Sequence, residues 1–217
     1  MSFSYQIRRS ERAKNARIVV SPSKVEVVVP LRMAENVIHG FVQDKQSWVI
    51  RTMEKLKHRE QTLESFAPAK FVQDAEIPFR GDKFTLSIGS TKLKKIKIEF
   101  DNQFNAFIPV ALLNTDYEQP IRDALIRWMK KRALVDAEVY VQHHADQMQN
   151  FPRSVRIKNQ KSRWGSCGIN NDINLNWLLV LAPPEVFEYV VVHELCHIQV
   201  RNHSADFWRL VAINSPR

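Results

Sequence analysis

Apolar positions along this chain recur with two periods, every second residue in some stretches and every third or fourth in others, and the switches between them outline its elements. Residues 5–8, 16–20 and 24–29 read as strands, with Ser21-Pro22-Ser23 as a turn and Pro30 as a stop, and predict a small antiparallel sheet. From 34 to 61 the spacing lengthens. Val37, Ile38, Phe41, Trp48, Val49, Met53 and Leu56 fall on one helical face with charges between them, which predicts a single amphipathic helix covering that sheet. Short β-type runs return at 76–79, 84–88, 96–100 and 105–108, punctuated by Arg80-Gly81-Asp82, Gly89-Ser90 and Asp101-Asn102, and read as a meander. Lys92, Lys94, Lys95 and Lys97 read as charge protecting a sheet edge.

A second long helical pattern covers 118–149, with Ile121, Leu125, Trp128, Met129, Val135 and Val139 on its apolar stripe and Asn150-Phe151-Pro152 closing it. Three more strands are expected at 154–158, 162–167 and 172–175. Gly165 and Gly168 would permit a bulge or a close backbone approach there. Ala182-Pro183-Pro184-Glu185 then opens another helix, since proline is tolerated in a first turn and an early carboxylate suits its positive end. The pattern is that of an α+β protein. It divides into a β-rich, antiparallel N-terminal region with long helices (1–113) and a C-terminal region built of a small sheet and the last helices (114–217), or the two continue as one domain. The last four residues carry no evident closing element, so a further helix beyond them is expected.

The helix that starts at Pro184 contains the chemistry. Val186, Phe187, Val190, Val191, Val192 and Leu195 make it apolar nearly all round, as in a buried helix, yet it also carries His193, Glu194 and His197. Polar groups there are costly unless something satisfies them. Two histidines four apart lie one above the other on one face, so both imidazoles can reach a single metal ion with Glu194 beside them. Neutral imidazoles suit zinc, and a carboxylate that is not a ligand can take a proton from water activated there. A catalytic zinc site wants three protein ligands and one open position; His203, six residues after His197, completes the set. That spacing matches HExxHxxGxxH, but Val200 stands where the glycine would be, so the chain must leave the helix differently. The expected route continues the helix through Val200 and turns near Arg201 and Asn202, with Asn202 left-handed and Ser204 capping the next helix. Asp206 is the competing third ligand.

Lys161-Ser162-Arg163-Trp164-Gly165-Ser166-Cys167, Ile173-Asn174-Leu175-Asn176-Trp177, His193 to His197 and Asn202-His203-Ser204 through Trp208 together resemble the YgjP-like family of metal-dependent hydrolases. The resemblance implies a zincin-like catalytic domain, one zinc ion per chain and peptidase-type hydrolysis; members have also been described as nucleoside triphosphate pyrophosphatases. It implies a cleft near Arg163, Trp164, Gly165 and Ser166. The expected site is therefore His193, His197 and His203 on the metal, Glu194 as general base, and Lys161, Arg163 and Trp164 against substrate. An edge strand beside such a metal can also hold an extended peptide through its backbone.

Composition narrows the alternatives. The 217 residues carry a formal net charge of +9, with 44% hydrophobic and 25% charged residues, which is ordinary for a soluble globular chain with an anionic partner or substrate in reach. Lys158, Lys161 and Arg163 could hold phosphates, so a metal-dependent nucleoside triphosphate pyrophosphatase is the alternative to a peptidase. Neither a glycine-rich phosphate loop nor the carboxylates of a magnesium site accompanies them. A nucleic-acid-associated protein with an incidental zinc is the second alternative and is not favoured. No stretch reaches membrane-span length, and residues 1–10 lack a signal-peptide core, so a cytoplasmic location is expected. Cys167 and Cys196 are too few for a disulfide scaffold. His39 and His58 read as surface residues, and His143 and His144 as surface or end-of-helix polar residues, because neighbours on a helix cannot share an ion well. Substrate choice and oligomeric state are not legible.

Overall fold

β1 (Gln6–Arg9), β2 (Arg17–Val20) and β3 (Val25–Val29) form the first sheet, in the order β1-β3-β2. All four valines of β3 are buried, so it takes the centre. β2 runs antiparallel to β3 but β1 runs parallel to it, which makes the sheet mixed and not antiparallel as expected. Val27 and Val29 form a core with Ile38 and Val42 of α1 (Glu35–Asp44). The expected single helix is two: Lys45, at φ −100° and ψ 4°, separates α1 from α2 (Gln46–Ser65). Val49 is buried as its spacing requires, whereas Val37 and Trp48 of the same expected stripe are exposed. The computed structural model describes residues 3–21, 24–65 and 70–215, so Pro22 and Ser23 of the first turn and residues 216–217 of the expected chain end lie outside them.

Residues 1–64 and 65–217 are the two compact units, so the division expected at 113/114 falls inside the second. That unit begins with β4 (Glu76–Phe79), β5 (Asp82–Thr91), β6 (Lys97–Phe100) and β7 (Phe104–Pro109). Their order is β4-β5-β7-β6 with β5 and β7 parallel, so they are not a meander. Lys97 lies on the edge strand β6, and the other lysines of its run precede that strand. Phe79, Phe100 and Phe104 cluster with Trp128 of α3 (Glu118–Met148), with ring centroids 4.9 Å apart for Phe79 and Phe100 and 5.3 Å for Phe104 and Trp128. This aromatic cluster ties the sheet to the helix. Further along α3 the buried face is made by Ala133, Asp136, Ala137 and Val141; Val135 and Val139 of the expected stripe point outward. Asp136 is satisfied by the Arg80 guanidinium at 2.8 and 3.0 Å and by Arg132 at 2.9 Å. Gln149, left-handed at φ 51°, ends the helix.

β8 (Ser154–Lys158), β9 (Gly165–Cys167) and β10 (Asp172–Asn176) make the third sheet, in the order β8-β10-β9, with β8 parallel and β9 antiparallel to β10. β9 is therefore an edge. A buried 3-10 turn, Trp177–Leu181, leads to α4 (Pro184–Gln199), and α5 (Ala205–Asn214) follows. The turn after β4 fastens this junction, because the Arg80 and Gly81 N–H groups donate to the carbonyls of Val180 and Leu181 at 2.9 and 3.0 Å. Gly81, at φ 88°, sits so close that a Cβ would come within 2.9 Å of Pro183 Cγ. The architecture is α+β, with three small mixed sheets among the described residues. Among those residues, no helix is long and apolar enough to cross a membrane.

Candidate metal centre

α4 buries Val191, Val192, Leu195 and Cys196, whereas His193 and His197, four residues apart on another face, are half-buried. His203 arrives from the turn ahead of α5. The three imidazoles converge: each offers one nitrogen, and these atoms all lie within 4.8 Å of one another. His193 Nε2 and His203 Nε2 are 3.2 Å apart. Two nitrogen ligands of one tetrahedral zinc are roughly 3.3 Å apart at the usual bond lengths, so the pair fits a shared ion. His197 Nδ1 donates to the Val200 carbonyl at 3.0 Å, which leaves its Nε2 free for the cluster. Burial and the neighbouring His197 and His203 pull the His193 pKa down to about 4, and burial likewise lowers His197. Neutral rings are what a metal needs.

Phe207, fully buried, stacks on His197 at 4.4 Å and meets His193 edge-on at 4.8 Å, holding both rings from behind. It belongs to a core with Val192, Cys196 and Val211. The route to His203 differs from expectation. α4 ends at Gln199, and Val200 takes an extended conformation at φ −123° and ψ 105°, one a β-branched residue adopts readily. Asn202 is not left-handed; its side-chain oxygen instead accepts the Ser204 N–H at 3.2 Å. Ser204 is the N-cap residue of α5 without a side-chain capping bond. Asp206 pairs with Arg209 at 3.2 Å, exposed, and is not among the clustered groups.

Glu194 lies beside the cluster, 5% exposed, with Oε2 buried and without a hydrogen-bond partner in the protein. Burial pushes its pKa up to about 7, against the opposing charge of Arg163 and a hydrogen bond from the Cys167 backbone N–H. Gly165 is what lets β9 come this near. A Cβ there would lie 2.5 Å from Glu194 Oε1 and 2.8 Å from its Cγ, so no larger residue fits without moving the carboxylate. The close approach anticipated for Gly165 is thus made to Glu194 itself.

Two residues unassigned in the sequence brace this arrangement. Asn176, fully buried, donates through Nδ2 to the carbonyls of Gln160 and Arg163 at 2.8 and 3.2 Å, accepts the Leu178 N–H at 3.3 Å, and donates its own N–H to the Trp164 carbonyl at 2.7 Å. It shapes the loop that carries Arg163 to Glu194. A polar residue inside the apolar run from Ile173 to Leu181 was the available signal. Arg201, just past α4, donates to the Gly168 carbonyl at 2.8 Å and to the Asn171 side chain, and so locks the β9–β10 turn to the end of the metal helix. Nothing periodic marks it.

Of the expected substrate-binding residues, Arg163 acts electrostatically on Glu194, Trp164 is half-buried next to Gly165, and Lys161 is exposed on the same loop. His144 corrects the surface reading: it is 5% exposed on α3, and its Nε2 meets Glu188 Oε1 of α4 at 2.7 Å. His143 is exposed, as is His39, which bonds the Tyr5 hydroxyl.

The model of the YgjP-like family, described as a metallopeptidase domain, matches residues 14–217. The chain belongs to this family, and at that level it is a metal-dependent hydrolase of the peptidase type. No curated protein and no solved structure matches it.

Proposed function

We propose that this YgjP-like protein is a zinc-dependent metallopeptidase of the cytoplasm, with His193, His197 and His203 holding one ion and Glu194 as its general base. The observation that carries the reading is Glu194. A carboxylate buried beside the imidazole cluster, with one oxygen lacking a partner in the protein and its pKa pushed up to about 7 by burial, is poised to accept a proton at neutral pH. When bound, zinc supplies Lewis acidity, polarising a carbonyl and making water acidic near neutrality. Glu194 Oε2 takes the proton from the attacking water and hands it to the leaving amine. Gly165 and the Cys167 N–H fix the carboxylate for that transfer, and Arg163 keeps it from becoming too weak an acid. Among the described residues no further strand pairs with the outer edge of β9, which supports binding of a peptide in extended form along Gly165–Cys167 through the backbone groups that the Cys167–Glu194 hydrogen bond leaves over. Free thiols at Cys167 and Cys196 suit a reducing compartment.

The reading with a nucleoside triphosphate as substrate draws on Lys158, Lys161 and Arg163, all exposed. Zinc-loaded protein offered an unfolded protein and a set of nucleoside triphosphates separates the two. Fragments from the protein with intact triphosphates support the peptidase; released pyrophosphate, abolished by Lys161→Ala with Arg163→Ala, supports the other.

A further inference from the structure

One aromatic surface next to the histidines is left partly open to solvent. Trp208, in the first turn of α5, is 47% exposed, yet its ring centroid lies 5.9 Å from that of His193 and 5.6 Å from that of His203. Its neighbour Phe207 already closes the core behind the histidines and is fully buried, so Trp208 is not needed to seal them. On α4, Tyr189 stands one helical turn before His193, 39% exposed, with its ring 6.4 Å from that imidazole. His193 is thus flanked by two half-exposed rings, on two helices. β9, with Gly165 and the Cys167 N–H, approaches the site through Glu194 instead.

We infer that Trp208 and Tyr189 form an aromatic shelf that receives the large apolar side chain of a peptide substrate beside its scissile bond, an inference that rests on the metallopeptidase reading. The chemistry selects the occupant. Two exposed π-faces gain by being covered with leucine- or phenylalanine-sized groups, and they offer nothing to glycine. Asp206, the carboxylate nearest in sequence to Trp208, is paired with Arg209. A ligand anchored at the histidines by its carbonyl therefore has a wall for an adjacent side chain on the α5 side of the site.

Amino-acid hydroxamates test this directly, because one end chelates the ion and the other presents a chosen side chain. With the zinc-loaded full chain in a calorimeter, phenylalanine and leucine hydroxamates should bind roughly tenfold or more tighter than glycine hydroxamate, the scale of burying one large apolar group. Trp208→Ala should shrink that preference to less than about threefold while leaving zinc content and glycine hydroxamate affinity unchanged, and Trp208→Phe should restore most of it. Equal affinity for all three probes, or a preference that survives Trp208→Ala combined with Tyr189→Ala, overturns the shelf. So does binding of nucleoside triphosphates that Trp208→Ala abolishes, since the indole would then be stacking a base. Failure of the parent reading looks different: the hydroxamate preference is present, but peptides bearing leucine or phenylalanine are not cleaved.

Discussion

The end of α3 and the end of α4 both carry histidines in pairs, and they solve the burial of imidazole in opposite ways. His144 is buried against one carboxylate, Glu188, at 2.7 Å, while its neighbour His143 points to solvent. His193 and His197 have each other, His203 and aromatic rings around them; the one carboxylate beside them, Glu194, keeps a buried oxygen without a partner in the protein. An acid partner gives a histidine a structural task, because Glu188 ties Nε2 of His144 to the neighbouring helix, although Nδ1 of the same ring stays buried without a partner in the protein. Imidazoles that converge without an acid partner disfavour protonation, as the His193 pKa records, lowered first by burial and then by His197 and His203, and their lone pairs await a cation.

Substitutions at the two places should therefore fail in different currencies. The largest effect is expected for Glu194→Gln, which keeps shape but removes the proton acceptor: hydrolysis should fall by roughly 10²- to 10⁴-fold with stoichiometric zinc retained. A loss below about tenfold would remove Glu194 from the chemistry. Next is His203→Ala, whose zinc affinity, by competition with a chromogenic chelator, should drop beyond the roughly 10- to 100-fold that loss of an outer partner costs. Asp206→Ala should stay under about tenfold, and the reverse ranking would make the aspartate the third ligand. His144→Ala should leave zinc content alone and instead cost about 1–3 kcal/mol of stability by stranding Glu188, read from urea midpoints. If it released zinc, the contrast between the two histidine pairs would collapse.

The smallest effect is a slope with pH in the metal-free protein. His193 is pulled from 6.5 to about 4, so between those values the unfolded chain binds the extra proton and stability rises with pH. Glu194 is pushed from 4.5 to about 7, so between those values the folded chain binds the extra proton and stability falls as pH rises. The two oppose one another from about 4.5 to 6.5. Parent protein should climb only gently across that window, with His197, also lowered by burial, adding to the rise, and Glu194→Gln should climb more steeply, because the opposing carboxylate is gone. A variant that climbs no more steeply than its parent would show that Glu194 is not titrating against the histidines.

Much of this was written in residue spacing, and what was not has an identifiable cause. The HExxH face was legible because a helix places i and i+4 together whatever surrounds it, and His203 through its spacing from His197. The strands were mostly found, but not their neighbours: alternation says which face is buried, and it is silent on β1 lying parallel to β3 or β5 parallel to β7. On α3 the valines at 135 and 139 attracted the stripe, while the helix buried smaller alanines and an aspartate held by two arginines. Asn176 and Arg201 act through backbone carbonyls of other segments, and such partners exist only once the chain is folded. The path to His203 departs from the expected one for a related reason. A missing glycine suggested a left-handed residue, but an extended Val200 and an ordinary side-chain turn at Asn202 cover the distance.

The shortness of that path has a consequence for the order in which the protein comes apart. All three histidines lie between 193 and 203, so one ion would close a small ring of backbone and clasp the start of α5 to the end of α4. Without it, the buried attachment of α5 reduces to Phe207 and Val211. Stripping the metal should then leave α3 as slow to exchange its amide hydrogens as before, while those of 208–214 open early and exchange much faster. Equal protection of α5 with and without metal would mean that Phe207 alone is clasp enough.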